Sequence, residues 1–293
     1  MVLAAPLRVL GRVLAVALAT VAVSCGDGSA PEPLVVGAGD TAESVVLAEI
    51  YAQALARTGA TVAVARDLGS RADRLAALDA GTVTLTGEHN GALLAELAGG
   101  ATAWSGEQVT TELNRSLPQG LVVTDAADGA DLRPRLLVGE PTSIESVADL
   151  RPECSTSTAG VAPVPGVFTT PPAALRIDGC EFAATTTFPN PDELRKALSD
   201  GRIRVGVLAG PPDLTPAATA GLRVLSDDDN AVRAENPVAL VRKGALDERQ
   251  WEKLNYVAGE LTTDELITMV ARVRDDAADP GRLARDWLDT HGL

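Results

Sequence analysis

Forty carboxylates, two histidines and three cysteines are the side chains of this 293-residue sequence with most chemistry to offer. Their spacing is not that of an enzyme. His89 and His291 lie far apart, and neither has a nucleophile and a carboxylate assigned to it, so no Ser–His–acid set can be read. No His-x-x-x-His pair and no Cys/His cluster marks a metal site. Gly37-Ala38-Gly39 lacks the remainder of a dinucleotide fingerprint. Paired carboxylates are plentiful, but nothing in the sequence sets their separation. The expectation is a protein that binds without converting, with no cofactor and no metal.

The N-terminus says where it works. Arg8 and Arg12 precede an uncharged apolar run, Leu14–Val23, which is too short to span a bilayer and suits a signal-peptide core. The run ends in Val21-Ala22-Val23-Ser24-Cys25. This resembles the lipobox of bacterial lipoproteins, with Ala22 where Leu is usual. The resemblance implies a signal peptide over residues 1–24 and a lipidated Cys25 as first residue of the mature chain. Residues 25–33 then form a flexible tether. The other reading is an ordinary cleaved signal peptide. With Cys25 so used, Cys154 and Cys180 remain, and in an oxidising compartment two such cysteines pair. The loop between them is rich in Pro, Thr and Gly and poor in helix or strand pattern. Closing it stabilises by about 3 kcal/mol in the chain-entropy model. The alternative is two independent buried thiols.

Setting aside Arg8 and Arg12, the remaining Lys and Arg stand against 40 acidic residues, a net charge near −17. That argues against nucleic acid or an anionic membrane face as partner. The length after the tether suits one large domain or two ordinary lobes.

Apolar runs and amphipathic stretches alternate. Strands are expected at Leu34–Ala38, Thr61–Ala65 and Thr82–Thr86, with helices at Thr41–Arg57 and Arg71–Ala80 between them. Asp40 and Glu43 read as a capping box for the first helix. This order implies a doubly wound parallel sheet. Farther on, strands are expected at Arg135–Val138, Ile203–Leu208, Leu222–Leu225 and Pro237–Arg242. Helices are expected at Ser146–Leu150, Asp192–Ser199, Asp247–Leu261, Thr263–Ala271 and Pro280–Thr290. Pro237–Arg242 reads as a strand returning to the first sheet after a long excursion.

Several of these pieces carry a family resemblance. Gly37-Ala38-Gly39-Asp40, Thr41-Ala42-Glu43, Ile50-Tyr51-Ala52-Gln53, Leu68-Gly69-Ser70-Arg71 and Glu88-His89-Asn90-Gly91 are similar to successive motifs of osmoprotectant-type substrate-binding proteins of ABC importers. These are the glycine betaine, choline and proline betaine receptors of ProX and OpuAC type. The tail, NPVALVRKGALD to DPGRLARDWLDTHGL, matches as well. The resemblance implies an α/β, two-lobed periplasmic-binding-protein fold of type II, two doubly wound lobes on a two-crossover hinge. Lobe one would be residues 34–126 plus 233–293, and lobe two residues 127–232. It also implies a monomeric receptor that passes a small solute to permease subunits. The lipid would hold it at the outer face of the cytoplasmic membrane.

The implied cleft departs from the family pattern. The family grips a quaternary ammonium with aromatic faces. Here His89, Leu208 and Glu235 stand at three positions where aromatics are expected. The family's first-turn Lys is Gly39 or Asp40, and its lobe-two Arg has only Thr170 or Pro171 nearby. The ligand-binding residues the resemblance implies are Asp40, Thr41, Glu43, Glu88, His89, Asn90, Glu235 and Asn236, with Asp131 and Arg133 from the first crossover, where Arg135 is the alternative to either. Each has a plainer reading as a helix cap or a satisfied structural residue. Such an acidic, amide-rich cleft suits a small polar or cationic solute that donates hydrogen bonds. A second reading is a lipoprotein that keeps the fold as an interaction or sensory module of the cell envelope, without transport. An enzyme on the same fold is a third.

Overall fold

Short apolar runs form the strands and the amphipathic stretches between them form the helices. The structure, a computed structural model, describes residues 32–168 and 175–293. The expected signal peptide, Cys25, most of the expected tether, Thr170 and Pro171 lie outside the described residues. The chain begins with β1 (Leu34–Gly37), α1 (Ala42–Ala56), β2 (Val62–Ala65), α2 (Arg71–Asp79), β3 (Leu85–His89), α3 (Asn90–Leu97), α4 (Gly106–Ser116) and β4 (Leu121–Val123). It then crosses to a second sheet built from β5 (Arg135–Gly139), α5 (Val147–Leu150), β6 (Thr158–Pro163), β7 (Ala184–Thr187), α6 (Pro191–Ser199), β8 (Val205–Ala209) and β9 (Leu222–Val224). A second crossing leads to β10 (Pro237–Arg242), followed by α7 (Glu248–Glu260), α8 (Thr263–Asp276) and α9 (Pro280–Thr290).

The first sheet has the order β2-β1-β3-β10-β4, the second β7-β6-β8-β5-β9. Neither is purely parallel. β10 runs antiparallel to both β3 and β4, and β5 antiparallel to both β8 and β9. The doubly wound parallel sheet expected from the strand–helix alternation is therefore a mixed sheet, because the returning β10 enters from the opposite end. α1, α7, α8 and α9 pack on one face of the first sheet, whereas Leu78 of α2, α3 and α4 cover the other.

Three local expectations need correction. The first helix is capped by Thr41, whose hydroxyl accepts from Ser44 N at 3.2 Å. Asp40 instead accepts from Gly69 N, and Glu43 turns into the interior at 0% exposure. The third strand begins at Leu85, not at Thr82. The amides of Gly81, Thr82 and Val83 are spent closing the end of α2 on the carbonyls of Leu78 and Ala77. The segment between the cysteines, expected to lack pattern, contains β6, which lies between β7 and β8. Its Gly160 allows close packing, since a Cβ there would meet Ile203, Phe188 and Leu194 within 2.7 Å.

Cys154 and Cys180 form the expected disulfide, with Cα atoms 5.3 Å apart. It ties the turn before β6 to the segment before β7, and Cys154 is buried with Val161 and Leu150.

Candidate functional site

The end of β3 organises the site. Successive strand residues face opposite sides of a sheet. Glu88 accordingly points to the α2 side and His89 to the α1 side, and each finds its partners there.

Glu88 is fully buried. One oxygen accepts from Arg71 Nε at 2.8 Å; the other accepts from Arg74 Nε at 3.0 Å and Nη2 at 2.7 Å. Arg71 and Arg74 are one turn apart on α2, whose start is set by the Ser70–Asp73 capping box. Burial opposes the Arg71 charge, but the Glu88 charge and hydrogen bond outweigh it and raise the guanidinium pKa.

His89 is held between two carboxylates. Nε2 stands 2.5 Å from Glu43 Oε1, and Nδ1 stands 3.0 Å from Glu235 Oε2. Burial alone lowers the imidazole pKa. The Glu43 charge, then the hydrogen bonds to Glu235 and Glu43, more than offset this and raise it to about 10. The ring is an imidazolium at neutral pH and donates at both nitrogens.

The second lobe reaches this cluster through the turn after β6. Phe168 N donates to Glu43 Oε2 at 2.9 Å, and Glu43 N donates to the Gly166 carbonyl at 2.8 Å. The Phe168 ring stands edge-on to His89 at 5.0 Å and lies 4.7 Å from the Arg74 guanidinium carbon. Gly166 has φ +89°, which favours glycine, and a Cβ there would press on Arg274 and Val270 of α8. Arg274 also donates to the carbonyls of Pro165 and Leu214, so α8 holds the same turn from behind.

The sum is a balanced charge cluster. Glu43, Glu88 and Glu235 face His89, Arg71 and Arg74. The expected surplus of cleft carboxylates is neutralised by the chain's own cations. Among the described residues, no group of three His, Cys, Asp or Glu side chains is placed to hold a metal.

The other candidates do different work. Asn90 and Asn236 pair with each other: Asn236 N donates to Asn90 Oδ1 at 2.8 Å, and Asn90 N to Asn236 O at 3.0 Å. The Asn236 amide also donates to the carbonyls of Ala127 and Ala130, joining one crossing to the other. Asp131 accepts from Arg133 Nε at 2.9 Å and Arg135 Nη2 at 3.0 Å, while Arg133 reaches Asp227 and Asn230. These residues brace the crossings and do not touch His89. Asp40 and Thr41 lie at the mouth of α1, outside the buried cluster. Leu208 is buried in the core.

Arg74 and Phe168 are the members that the motifs did not assign. Arg74 was legible as the residue one turn after Arg71. Phe168 carries no local signal, because its neighbours in space are remote in sequence. A small space beside the cluster, lined by Gly91, Leu136, Val207, Arg233 and Glu235 among others, measures about 10 Å³. That is room for about one water.

Residues 32–290 match the family of the substrate-binding domain of ABC-type glycine betaine transport systems. The chain belongs to this family. Comparison with curated proteins by sequence finds no match. Among solved structures, a glycine betaine/carnitine/choline ABC transporter protein superposes with TM-score 0.63 at 16% identity, covering 88% of this chain and 98% of that one. YehZ from Escherichia coli, in its apo form, gives 0.61 at 19% identity, with 89% and 99% covered. The glycine/betaine/L-proline-binding protein ProX from Borrelia burgdorferi gives 0.52 at 11%, with 88% and 93% covered. At these identities the likeness concerns the fold, which is the two-lobed, type II periplasmic-binding-protein fold. The family is one of transport substrate-binding domains, so the chain is a solute receptor of ABC transport and not a member of an enzyme class.

Proposed function

We propose that this substrate-binding domain is a lipid-anchored, extracytoplasmic receptor that delivers a small polar solute, other than a quaternary ammonium, to an ABC importer. Residues 34–126 plus 233–293 and residues 127–232 act as its two lobes, hinged on the two crossings. The observation that carries the reading is the meeting of both lobes at Glu43, His89 and Phe168, where lobe closure would enclose a solute. Ligand contacts are assigned to Glu43, His89 and Glu235 at the cluster, with Glu88 acting through Arg71 and Arg74, and to Asn90 and Asn236 at the crossings. Asp40, Thr41, Asp131 and Arg133 guard the approaches.

Quaternary ammonium selectivity needs several open aromatic faces, each contributing about 0.5–2 kcal/mol once desolvated. Among the described residues, Phe168 presents its ring to the cluster, and Arg74 already covers it. Calorimetry with glycine betaine, choline and proline betaine is expected to show no low-micromolar binding. A low-micromolar dissociation constant for any of them overturns the altered cage. A thermal-shift screen of polar solutes tests the receptor reading itself.

The anchor is tested separately. Cys25→Ala is expected to move the protein from the membrane fraction to the soluble fraction, and full retention on the membrane overturns the lipid assignment. No helix among the described residues is long and apolar enough to cross a membrane. The reading as an interaction or sensory module is favoured by one observation, the packing of the interlobe region with the chain's own side chains. A screen in which no solute stabilises the protein would favour it.

A further inference from the structure

A cation site in a protein is made from a carboxylate and an aromatic face, brought together where water is excluded. Glu88 and Phe168 supply both at the junction of the lobes, and the cation between them belongs to the chain. Arg74 is 3% exposed. Its guanidinium donates through Nε and Nη2 to one Glu88 oxygen and through Nη1 to the Gly69 carbonyl at 3.3 Å. Its central carbon lies 4.7 Å from the Phe168 ring centroid. Arg74 and Glu88 come from the first lobe and Phe168 from the second, so this contact spans the cleft.

We propose that Arg74 is a resident cation of the interlobe cleft: bound to Glu88 and seated on the Phe168 ring, it takes the place of a cationic solute and sets the specificity of the receptor against such solutes. The inference rests on the receptor reading above and deepens it. Three features support it. The guanidinium saturates one Glu88 oxygen, and Arg71 takes the other. Phe168 is 4% exposed, its ring lies under the Arg74 guanidinium, and it stands near-perpendicular to His89. The Phe168 backbone donates to Glu43, which holds the residue that carries the ring at the junction of the lobes.

The test is chemical rescue on the full chain. Arg74→Ala removes the resident cation and leaves Glu88 and Phe168 in place. Guanidinium chloride at millimolar concentration, against matched sodium chloride, is expected to raise the melting temperature of Arg74→Ala saturably and to leave the wild type unchanged. Choline is expected to bind Arg74→Ala about tenfold or more tighter than the wild type, a gain lost in Arg74→Ala/Phe168→Ala. If Arg74→Ala is unfolded without additive, guanidinium is expected to restore its folded circular-dichroism spectrum. Arg74→Gln, neutral but of similar reach, is expected to fold and to gain choline binding in the same sense. Failure of both cations to rescue either variant overturns the proposal, as does equal choline binding by wild type and variant. A wild type that binds no solute in a screen bears on the receptor reading alone, because guanidinium rescue does not depend on transport.

Discussion

Glu88→Ala is expected to destabilise the folded chain by about 3–5 kcal/mol, the range for removing one partner of a buried ion pair. The reason is arithmetic of charge. Glu88 is fully buried and is the acid partner of both Arg71 and Arg74, whose side chains are 12% and 4% exposed. Removing the carboxylate strands two guanidinium groups in a region that cannot solvate them, and Arg74 is the deeper of the two. Glu88→Gln should cost less, since an amide oxygen still accepts from Arg74, but it leaves the charge uncompensated. Urea unfolding at neutral pH measures the difference. A loss under about 1 kcal/mol for the alanine variant would mean that the arginines escape to solvent when released, and that the cluster is not rigid.

The second large effect is a pH dependence on the alkaline side. The His89 pKa is near 6.5 in an unfolded chain and about 10 in the fold. A group whose pKa is raised by folding contributes its stability fully below the unfolded value. That contribution falls as pH rises toward the folded value, because the folded state then binds more protons than the unfolded state. Stability is therefore expected to be level in His89 below about pH 6.5 and to fall by about 1.4 kcal/mol per pH unit from about pH 7 toward pH 10. The groups facing the ring are Glu43 and Glu235, with Arg74 behind Phe168. Tyr51, whose hydroxyl pKa is pushed up by burial and then by Glu43, adds its own loss only above the usual tyrosine range. His89→Gln should flatten the slope between pH 7 and 10 while lowering stability at pH 6. The wild-type-minus-variant curve isolates this group. A difference that does not vary with pH would show that the imidazole is neutral in the fold.

Much of the fold was legible because its signals are local. Apolar runs marked β1, β2 and β10, and the 3.6-residue period marked α7 and α9 with ends close to those observed, whereas α8 runs on to Asp276, past the expected end at Ala271. The pairing of Cys154 with Cys180 followed from the expectation of an exported chain in which Cys25 is used otherwise and two cysteines remain. Where reading failed locally, a competing hydrogen bond had won. Asp40 looked like a cap but serves Gly69, and Thr82 and Val83 looked like strand but close α2. β6 was hidden because its Thr, Ala and Gly residues are small. They suit a strand pressed by α6, and its core neighbours Phe188, Leu194 and Ile203 follow it in sequence.

By itself, the sequence determined the family, the two-lobed fold class and most of the strands and helices outside residues 90–134 and 158–187. Tertiary structure alone decided what the residues at the meeting of the lobes do. Glu43 lies 46 residues from His89 and 125 from Phe168, and His89 lies 146 from Glu235. No local pattern records such contacts. Whether a carboxylate is a ligand or one half of an ion pair depends on which cation the fold brings within about 3 Å of it, because Coulomb energy in a dry interior falls steeply with separation and solvation. Arg71 and Arg74 were visible as two basic residues at the start of a helix. Only the packing of α2 against β3, with Phe168 closing from the other lobe, turned them into the counter-charge of the cleft.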